Sequence, residues 1–231
     1  SVNSLVVNAV RMDGSPCSYS RKGPVLSFFG KPDVCYYGGD RDQPMYACQE
    51  PGRVAMVLGT SYAAPWIARK MAYLIHIVGF SREIAKALII DSAGGWRQSN
   101  NPRHLGYGVV PKRIEDILST SDDEIKFVLD GTSELFDTYT HNIPVPVAHD
   151  KHPYYAKATL CYFPHCERSQ GVDYTSTEIS MTFGRLKGEK ILPIDNNTQD
   201  FEGSFTYEEE ARQFFRKWDN VKPIAEKINP R

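Results

Sequence analysis

The residue best placed to do covalent chemistry in this sequence is Ser61, which lies in the stretch VLGTSYAAPWIARKMAYLI, Val57 to Ile75. The stretch begins as a loop and continues as a helix predicted over Thr60–Val78. A serine at such a junction has two roles open to it. Its hydroxyl can cap the helix by accepting from a backbone N–H, or it can act as a nucleophile. Capping is the commoner role of a serine at the start of a helix.

The neighbours of Ser61 suit a catalytic role. With Ser61 at the N-cap, Pro65 takes the fourth helical position, where a missing N–H costs nothing because the first four amides lack intrahelical acceptors. The positive end of the helix and the Ser61 backbone N–H would face a negative charge developing on a substrate carbonyl, as an oxyanion hole requires. Gly59 allows close approach of a substrate backbone. The small side chains of Ala63 and Ala64 allow close packing behind the serine.

The sequence around Ser61 resembles a known nucleophile motif. Residues 59–65, GTSYAAP, resemble the Gly-Thr-Ser-x-Ala-x-Pro motif of subtilisin-like serine peptidases. The Gly-x-Ser-x-Gly elbow of α/β-hydrolases fits less well, because it requires glycine where Ala63 stands. Upstream, YSRKGP and KPDV resemble the Ser-x-Arg-Gly-Pro and Lys-Pro-Asp-Val segments that precede the nucleophile in the subtilisin-like family. Downstream, SREIAKALIIDSA and GYGVV resemble its next helix and its closing Gly-Tyr-Gly turn.

The resemblance covers residues 1 to about 118, with two departures from the family pattern. Lys22 interrupts the Arg-Gly-Pro spacing, and CYYGG stands where many members carry an Ala-Pro-Gly turn. The resemblance implies a serine endopeptidase in which Ser61 attacks the scissile carbonyl of a polypeptide substrate. The Ser61 backbone N–H, helped by the Thr60 hydroxyl, would then hold the oxyanion.

The general base is missing from the expected part of the sequence. The family orders its triad as Asp, His and then Ser, with the oxyanion-hole Asn also before Ser. The 60 residues before Ser61 contain no histidine. His76 lies 15 positions further along the same predicted helix, which places it on the order of 22 Å away at about 1.5 Å per residue. His76 is therefore too far away to be the base.

We therefore predict that this chain is the C-terminal part of a peptidase, and that a missing N-terminal segment of the same protein supplies His, Asp and Asn. The chain alone is predicted to be inactive, because a serine hydroxyl without a base is a poor nucleophile at neutral pH. The alternative is a non-catalytic interaction module derived from such a peptidase, in which Ser61 only caps its helix. The histidines of the second half show no spacing that points to Ser61: His141, His149, His152 and His165.

Metal-binding patterns in the sequence are weak. HDKH places His149 and His152 three positions apart, and CYFPHC groups two cysteines with His165, but neither has the second pair of ligands of a zinc site. Residues 195–200, DNNTQD, offer oxygen ligands, and subtilisin-like peptidases often bind calcium. The segment lacks the glycine-containing pattern of a known calcium loop, so an Asx-rich turn is the simpler interpretation. No metal or cofactor is predicted.

The elements that must position Ser61 lie in residues 1–120. Apolar runs in SLVVNAV and KPDVCYY predict buried strands, and helices follow over Thr60–Val78 and Ser81–Ser92. Ser81 is a candidate N-cap, and Gly94-Gly95 ends the second helix. The pattern is typical of a layered α/β domain. The resemblance implies the C-terminal portion of a subtilisin-like domain with a parallel sheet.

Residues 121–231 are predicted to form an antiparallel β-sandwich of the jelly-roll kind, with STSDD (119–123) as the boundary. The segments EIKFVLDG, AKATLCYFP and TEISMTFGRL alternate apolar, aromatic and β-branched residues between Pro, Gly and Asn breaks. A terminal helix is predicted over Tyr207–Ile228 from a capping box of Thr206 and Glu209. Subtilisin-like peptidases frequently carry such a sandwich after the catalytic domain, so the resemblance agrees with this prediction.

Composition limits the class of protein and its partners. The chain has 231 residues, of which 41% are hydrophobic, and a formal net charge of −1, so no nucleic acid or anionic membrane is expected as a partner. The longest apolar run, Met71–Phe80, is shorter than the roughly 18 residues of a membrane span. Five cysteines, an odd number, favour a reducing compartment over a disulfide scaffold. A cytoplasmic protein is expected.

Overall fold

The computed structural model describes residues 2–23, 30–94, 101–143, 154–167, 169, 175, 177–196, 207, 210 and 219–228. Helices and small sheets are mixed along these ranges, which confirms the predicted α/β class. The larger parallel sheet and the β-sandwich remain predictions. Within the described ranges, no helix has both the length and the apolar character needed to cross a membrane.

The first sheet pairs two short parallel strands, β1 (Val7–Val10) and β2 (Val34–Tyr37). Each strand occupies only the last four residues of the run that predicted it, SLVVNAV and KPDVCYY. Most residues of both strands are buried, as expected for a parallel sheet with a helix packed against it. The carboxyl ends of β1 and β2 therefore lie side by side.

Two long helices follow, α1 (Thr60–His76) and α2 (Arg82–Gly94). The predicted N-cap of α2 is confirmed, because the Ser81 hydroxyl accepts from the Ile84 N–H at 3.2 Å. Helix α1 contacts both strands and α2. The buried core joins residues of these four elements, among them Ala9, Val34, Tyr36, Ala63, Ile67, Leu74, Ala85, Ile89 and Ile90.

A β-hairpin that the sequence analysis missed leads into α1. It pairs β3 (Met45–Glu50) with β4 (Arg53–Val57) in antiparallel fashion. The sequence contained the signal, because Pro51 and Gly52 separate two segments rich in apolar residues, MYACQE and RVAMV. Gly52 has a φ of 80°, a backbone conformation that favours glycine in a tight turn. Most hairpin side chains are exposed.

Two short helices close the first region, α3 (Pro102–Leu105) and α4 (Glu115–Leu118). Between them, Val109 forms an isolated parallel bridge with Cys35 of β2. The α4 residue Ile117 is fully buried in the common core. Val109 and Ile117 therefore join the described residues after α3 to β2 and to the core that contains α1.

The second region contains two antiparallel pairs of strands. The pair β5 (Tyr154–Cys161) and β8 (Val221–Ile228) forms one sheet, and β6 (Thr182–Lys187) with β7 (Lys190–Asn196) forms another. Strands β5 and β6 overlap the predicted segments AKATLCYFP and TEISMTFGRL, although β5 begins two residues before the first segment and β6 ends one residue after the second. These observations support strand structure in this region but do not test the sandwich.

Two predicted elements of the second region are wrong. EIKFVLDG is not a strand: residues 124–130 have no regular secondary structure, and no described strand pairs with them. The predicted terminal helix is wrong over 221–228, where β8 forms instead. Pro223 explains this difference, because proline in a helix interior removes a hydrogen bond and clashes with the preceding turn. The proposed capping residues Thr206 and Glu209 lie outside the described residues.

The β5–β8 sheet packs against α2. The Lys157 ammonium lies 3.0 Å from an Asp91 carboxylate oxygen, and the Thr159 hydroxyl donates to the same oxygen at 2.8 Å. The Tyr107 hydroxyl donates to the Val221 carbonyl at 3.0 Å. The predicted division near residue 120 remains a prediction, and these contacts cross it.

Candidate active site

Ser61 is the second residue of α1, and the prediction that it is the N-cap is wrong. The helix begins at Thr60, its N-cap is Gly59, and no side chain caps it. The Tyr62 N–H donates instead to the Gly59 carbonyl at 3.0 Å. Gly59 has a φ of 142°, which a residue with a side chain rarely adopts, so the chain turns into the helix two residues before Ser61. The exposed Ser61 side chain is not used to hold the helix together.

Pro65 lies inside α1, two positions deeper than the predicted fourth helical position. Proline has no N–H, so it cannot donate to the carbonyl four residues earlier. That carbonyl belongs to Ser61. The first turn of α1 therefore lacks the hydrogen bond that would tie the Ser61 carbonyl to residue 65 in the following turn.

Gly38 connects the start of α1 to the ends of β1 and β2. The Gly59 N–H donates to the Gly38 carbonyl at 2.9 Å, and the Gly38 N–H donates to the Val10 carbonyl at 3.1 Å. Gly38 directly follows β2, and Val10 is the last residue of β1. Ser61 therefore lies beside the carboxyl ends of two parallel strands, where α/β proteins commonly place their binding sites. Sequence reasoning missed Gly38, although the CYYGG segment contains it.

Close packing explains why a glycine occupies position 38. A Cβ added there would lie 2.6 Å from the Ala9 Cβ and 3.1 Å from the Gly59 carbonyl oxygen. Gly38→Ala is expected to destabilise the protein by about 1–3 kcal/mol through overpacking. Denaturant titration measures this change, and Gly131→Ala is the control because a Cβ there meets no atom within 4 Å.

The double variant Ala9→Gly/Gly38→Ala tests the cause of that loss. Removing the Ala9 methyl relieves the closest contact, so the double variant should lose less stability than the sum of the two single variants. Strictly additive losses would show that the contact between positions 9 and 38 is not what excludes a side chain.

Two backbone N–H groups at the start of α1 are available to a bound anion. The Thr60 and Ser61 amides lie in the first turn, where no intrahelical acceptor exists, and neither donates elsewhere within the described part of the chain. The helix dipole adds positive potential at this end. The Ser61 hydroxyl and N–H belong to one residue, so a negative charge formed next to the hydroxyl would lie close to that N–H.

Asp40 fixes the loop that follows Gly38 and Gly39. Its fully buried carboxylate accepts from the Ser18 hydroxyl and the Ser18 N–H, both at 2.7 Å, and from the Arg41 N–H at 2.8 Å. The Arg11 guanidinium lies 2.8 Å away. The Ser18 hydroxyl and N–H, aided by the other donors, hold the pKa of the Asp40 carboxyl well below its usual value of 3.8.

This lowered pKa predicts how the stability depends on pH. The folded state binds the Asp40 proton less readily than the unfolded state, so the stabilisation is present above about pH 4 and is lost as pH falls below it. Asp40→Asn should therefore lower the melting temperature at pH 6 and have a smaller effect at pH 2.5. Asp42→Asn is the control, because that carboxylate is 59% exposed. An Asp40→Asn effect that is equal at both pH values would contradict the assignment.

The described histidines do not supply a base to Ser61. His76 is the last residue of α1, at the far end from Ser61, and His104 bonds to Asn101 through Nδ1. His141 and His165 are exposed, and neither forms a hydrogen bond with Ser61 in the described part of the chain. The other two histidines, His149 and His152, lie outside the described residues.

The structure can be compared with the weak metal-binding patterns of the sequence. Across the described ranges, no group of three or more His, Cys, Asp or Glu side chains is arranged to hold a metal ion. Burial raises the pKa of the Cys161 thiol to about 12, which disfavours the thiolate that zinc requires. The HDKH pair and residues 197–200 of DNNTQD lie outside the described residues.

Helix α1 exposes apolar side chains on the side that also carries Ser61. Tyr62, Trp66 and Tyr73 are each about two-fifths exposed, and three small residues are exposed at the spacing of one helical face, Ala64, Ala68 and Ala72. Only two residues of α1 carry a full charge, Arg69 and Lys70. The exposed side of α1 is therefore mostly apolar, with Arg69 as its fully charged residue.

The hairpin before α1 adds to this exposed apolar area. Tyr46, Val54 and Met56 of β3 and β4 are each about 70% exposed. We call these three residues, together with the exposed side of α1, the apolar surface. Exposed apolar side chains in such numbers commonly mark a site of contact with other polypeptide.

The model of the subtilase family matches residues 1–108, a range that extends from β1 through α3 and includes Ser61. No curated protein matches the chain.

Proposed function

We propose, from the match of residues 1–108 to the subtilase family, that the protein is a subtilisin-like serine endopeptidase that hydrolyses peptide bonds through Ser61. The observation that carries the proposal is the placement of Ser61. The residue is exposed in the first turn of α1, beside the carboxyl ends of β1 and β2, and its hydroxyl forms no hydrogen bond with the part of the chain that the structure describes. The substrate is a polypeptide.

In the proposed mechanism the Ser61 hydroxyl oxygen attacks the scissile carbonyl carbon while a histidine takes its proton. The carbonyl oxygen becomes an oxyanion, which accepts from the Ser61 N–H, with support from the Thr60 hydroxyl. The histidine then gives the proton to the leaving amine, and water hydrolyses the resulting acyl-enzyme. Each step uses protein groups and water, so the proposal includes no metal or cofactor.

We propose that the histidine, its partner Asp and the oxyanion-hole Asn come from a polypeptide segment upstream of Ser1 in the same protein. We call the protein that includes this segment the full-length protein. The apolar surface supports the proposal, because exposed apolar side chains of this kind commonly mark a site of contact with other polypeptide. Docking of the upstream segment there would bring its histidine to Ser61. Residues 1–231 alone are then inactive.

Two further parts of the proposal concern the second region and the cellular location. Residues 121–231 form a β-sandwich extension, which is supported by the antiparallel pairs β5–β8 and β6–β7. The protein works in a reducing compartment, the cytoplasm, which is supported by the five cysteines, all described and all free thiols.

The experiment that tests the proposed function is peptide hydrolysis by the full-length protein, measured beside its Ser61→Ala variant. Release of new peptide termini by the wild type, absent from the variant, would support the proposal. Equal release by both proteins would overturn it.

A further inference from the structure

The hydroxyl of Tyr19 lies against the glycine pair that precedes the hairpin. Tyr19 belongs to the segment between β1 and β2, and its side chain is partly buried. The phenol oxygen lies 3.0 Å from the Gly38 carbonyl oxygen and 2.7 Å from the Gly39 carbonyl oxygen. The single Tyr19 proton is therefore shared between two consecutive carbonyls.

This contact is maintained by groups that stay protonated. Burial, followed by the neighbouring Cys17 thiol, raises the pKa of Tyr19 well above its usual value, so the phenol remains a donor at neutral pH. The Cys17 thiol donates to the Gly39 carbonyl at 3.1 Å, and burial raises the pKa of that thiol also. Two side-chain donors thus converge on one short stretch of backbone.

The Gly38 carbonyl has a second donor, the Gly59 N–H at 2.9 Å. A carbonyl oxygen has two lone pairs, and here one accepts from Tyr19 and the other from Gly59. Gly59 is the N-cap of α1 and stands two residues before Ser61. One carbonyl therefore links the Tyr19 side chain to the backbone that leads into Ser61.

The backbone that leads into Ser61 depends on hydrogen bonds from other parts of the chain, because several of its residues are glycines. Gly38, Gly39 and Gly59 have no side chains to limit their backbone angles, and glycine backbones are the least restricted. The Pro65 ring also denies Ser61 a hydrogen bond from the following turn. Rotation of the Gly38 peptide would therefore move Gly59 and, with it, the hydroxyl and N–H of Ser61.

We propose that Tyr19 is a positioning residue for Ser61: its hydroxyl fixes the Gly38 carbonyl, and this carbonyl fixes the backbone from which the nucleophile starts. The inference rests on the proposed function of Ser61. The role acts through backbone alone, since Tyr19 itself forms no hydrogen bond with Ser61 in the described part of the chain.

The test is Tyr19→Phe in the full-length protein, which removes one oxygen and keeps the ring. Misplacing the nucleophile should lower kcat by roughly 10- to 100-fold, because small errors in reacting geometry are costly, while KM changes less than about twofold. Tyr139→Phe is the matched control, because that exposed phenol donates to a backbone carbonyl, of Thr132 at 2.9 Å, far along the chain from Ser61. The Gly59 amide should exchange with solvent faster in Tyr19→Phe than in the wild type.

Each other outcome has a defined meaning. If Tyr19→Phe melts at a lower temperature but keeps kcat and Gly59 exchange unchanged, Tyr19 only stabilises the fold and the inference is overturned. It is overturned equally if the variant does not fold where the wild type does, as judged by circular dichroism. An inactive wild type would overturn the proposed function itself, whereas an active wild type with an equally active variant overturns only the positioning role.

Discussion

Replacing Ser61 by alanine in the full-length protein is expected to remove peptidase activity without unfolding the protein. The covalent step has no substitute once the hydroxyl is gone, so kcat should fall by several orders of magnitude, roughly 10⁴-fold or more. The free energy of unfolding should change by less than about 0.5 kcal/mol, because the Ser61 side chain is exposed and does not cap α1. Activity assays and denaturant titration measure the two quantities.

Two comparisons make this expectation specific. Thr60→Val should lower kcat much less, because the Thr60 hydroxyl only supports the oxyanion in the proposed mechanism. Ser119→Ala, at an exposed serine outside the site, should change neither activity nor stability. A Ser61→Ala variant that keeps more than a tenth of the wild-type kcat would show that another group is the nucleophile.

The isolated chain of residues 1–231 is expected to lack the peptidase activity that we propose for the full-length protein. Among the described histidines, His76 lies at the far end of α1, and none forms a hydrogen bond with Ser61. Without a general base the serine hydroxyl is a poor nucleophile at neutral pH. The loss should equal that of a triad lacking its histidine, several orders of magnitude in kcat.

Adding the upstream segment as a separate polypeptide gives the matched control. The segment should bind the apolar surface, reduce the exposure of Trp66, and restore part of the activity. Trp66 fluorescence after mutation of Trp96 and Trp218 to phenylalanine reports the binding. Full activity of residues 1–231 alone would place the base inside this chain and contradict the proposed docking.

Local patterns that depend on neighbouring residues predicted the part of the fold around Ser61 well. The helix start at Thr60 and the Ser81 cap follow from Gly59 and from a serine before an apolar run. The exact place of Ser61 did not follow, since the N-cap depends on the backbone angle of Gly59, which is set by its bond to Gly38. A contact between residues 21 positions apart is not visible in a local pattern.

Pairing between strands that are distant in sequence explains the two wrong predictions of secondary structure in residues 121–231. EIKFVLDG alternates like a strand, but a strand forms only where a partner accepts its hydrogen bonds, and none of the described strands does so. Residues 221–228 contain one glutamate and two lysines, which suit a helix, but Pro223 and the pairing with β5 make them a strand. These results depend on the tertiary contacts rather than on the residues alone.

The sequence pattern also did not predict the buried charge of Lys86. Lys86 is 1% exposed, and its ammonium donates to the carbonyls of Val2 and Ser4 at 3.3 and 3.2 Å. A lysine in a predicted helix is normally assigned to the solvent side. Only the fold shows that the N-terminal backbone lies where it can satisfy this group.

The central claim, that Ser61 is a nucleophile activated by an upstream base, is tested most directly by labelling the full-length protein with a fluorophosphonate and mapping the adduct by mass spectrometry. We expect one adduct per molecule, on Ser61, which is absent from Ser61→Ala and from the isolated chain. Labelling at another residue, or no labelling of the full-length wild type, would contradict the claim and favour a non-catalytic interaction module.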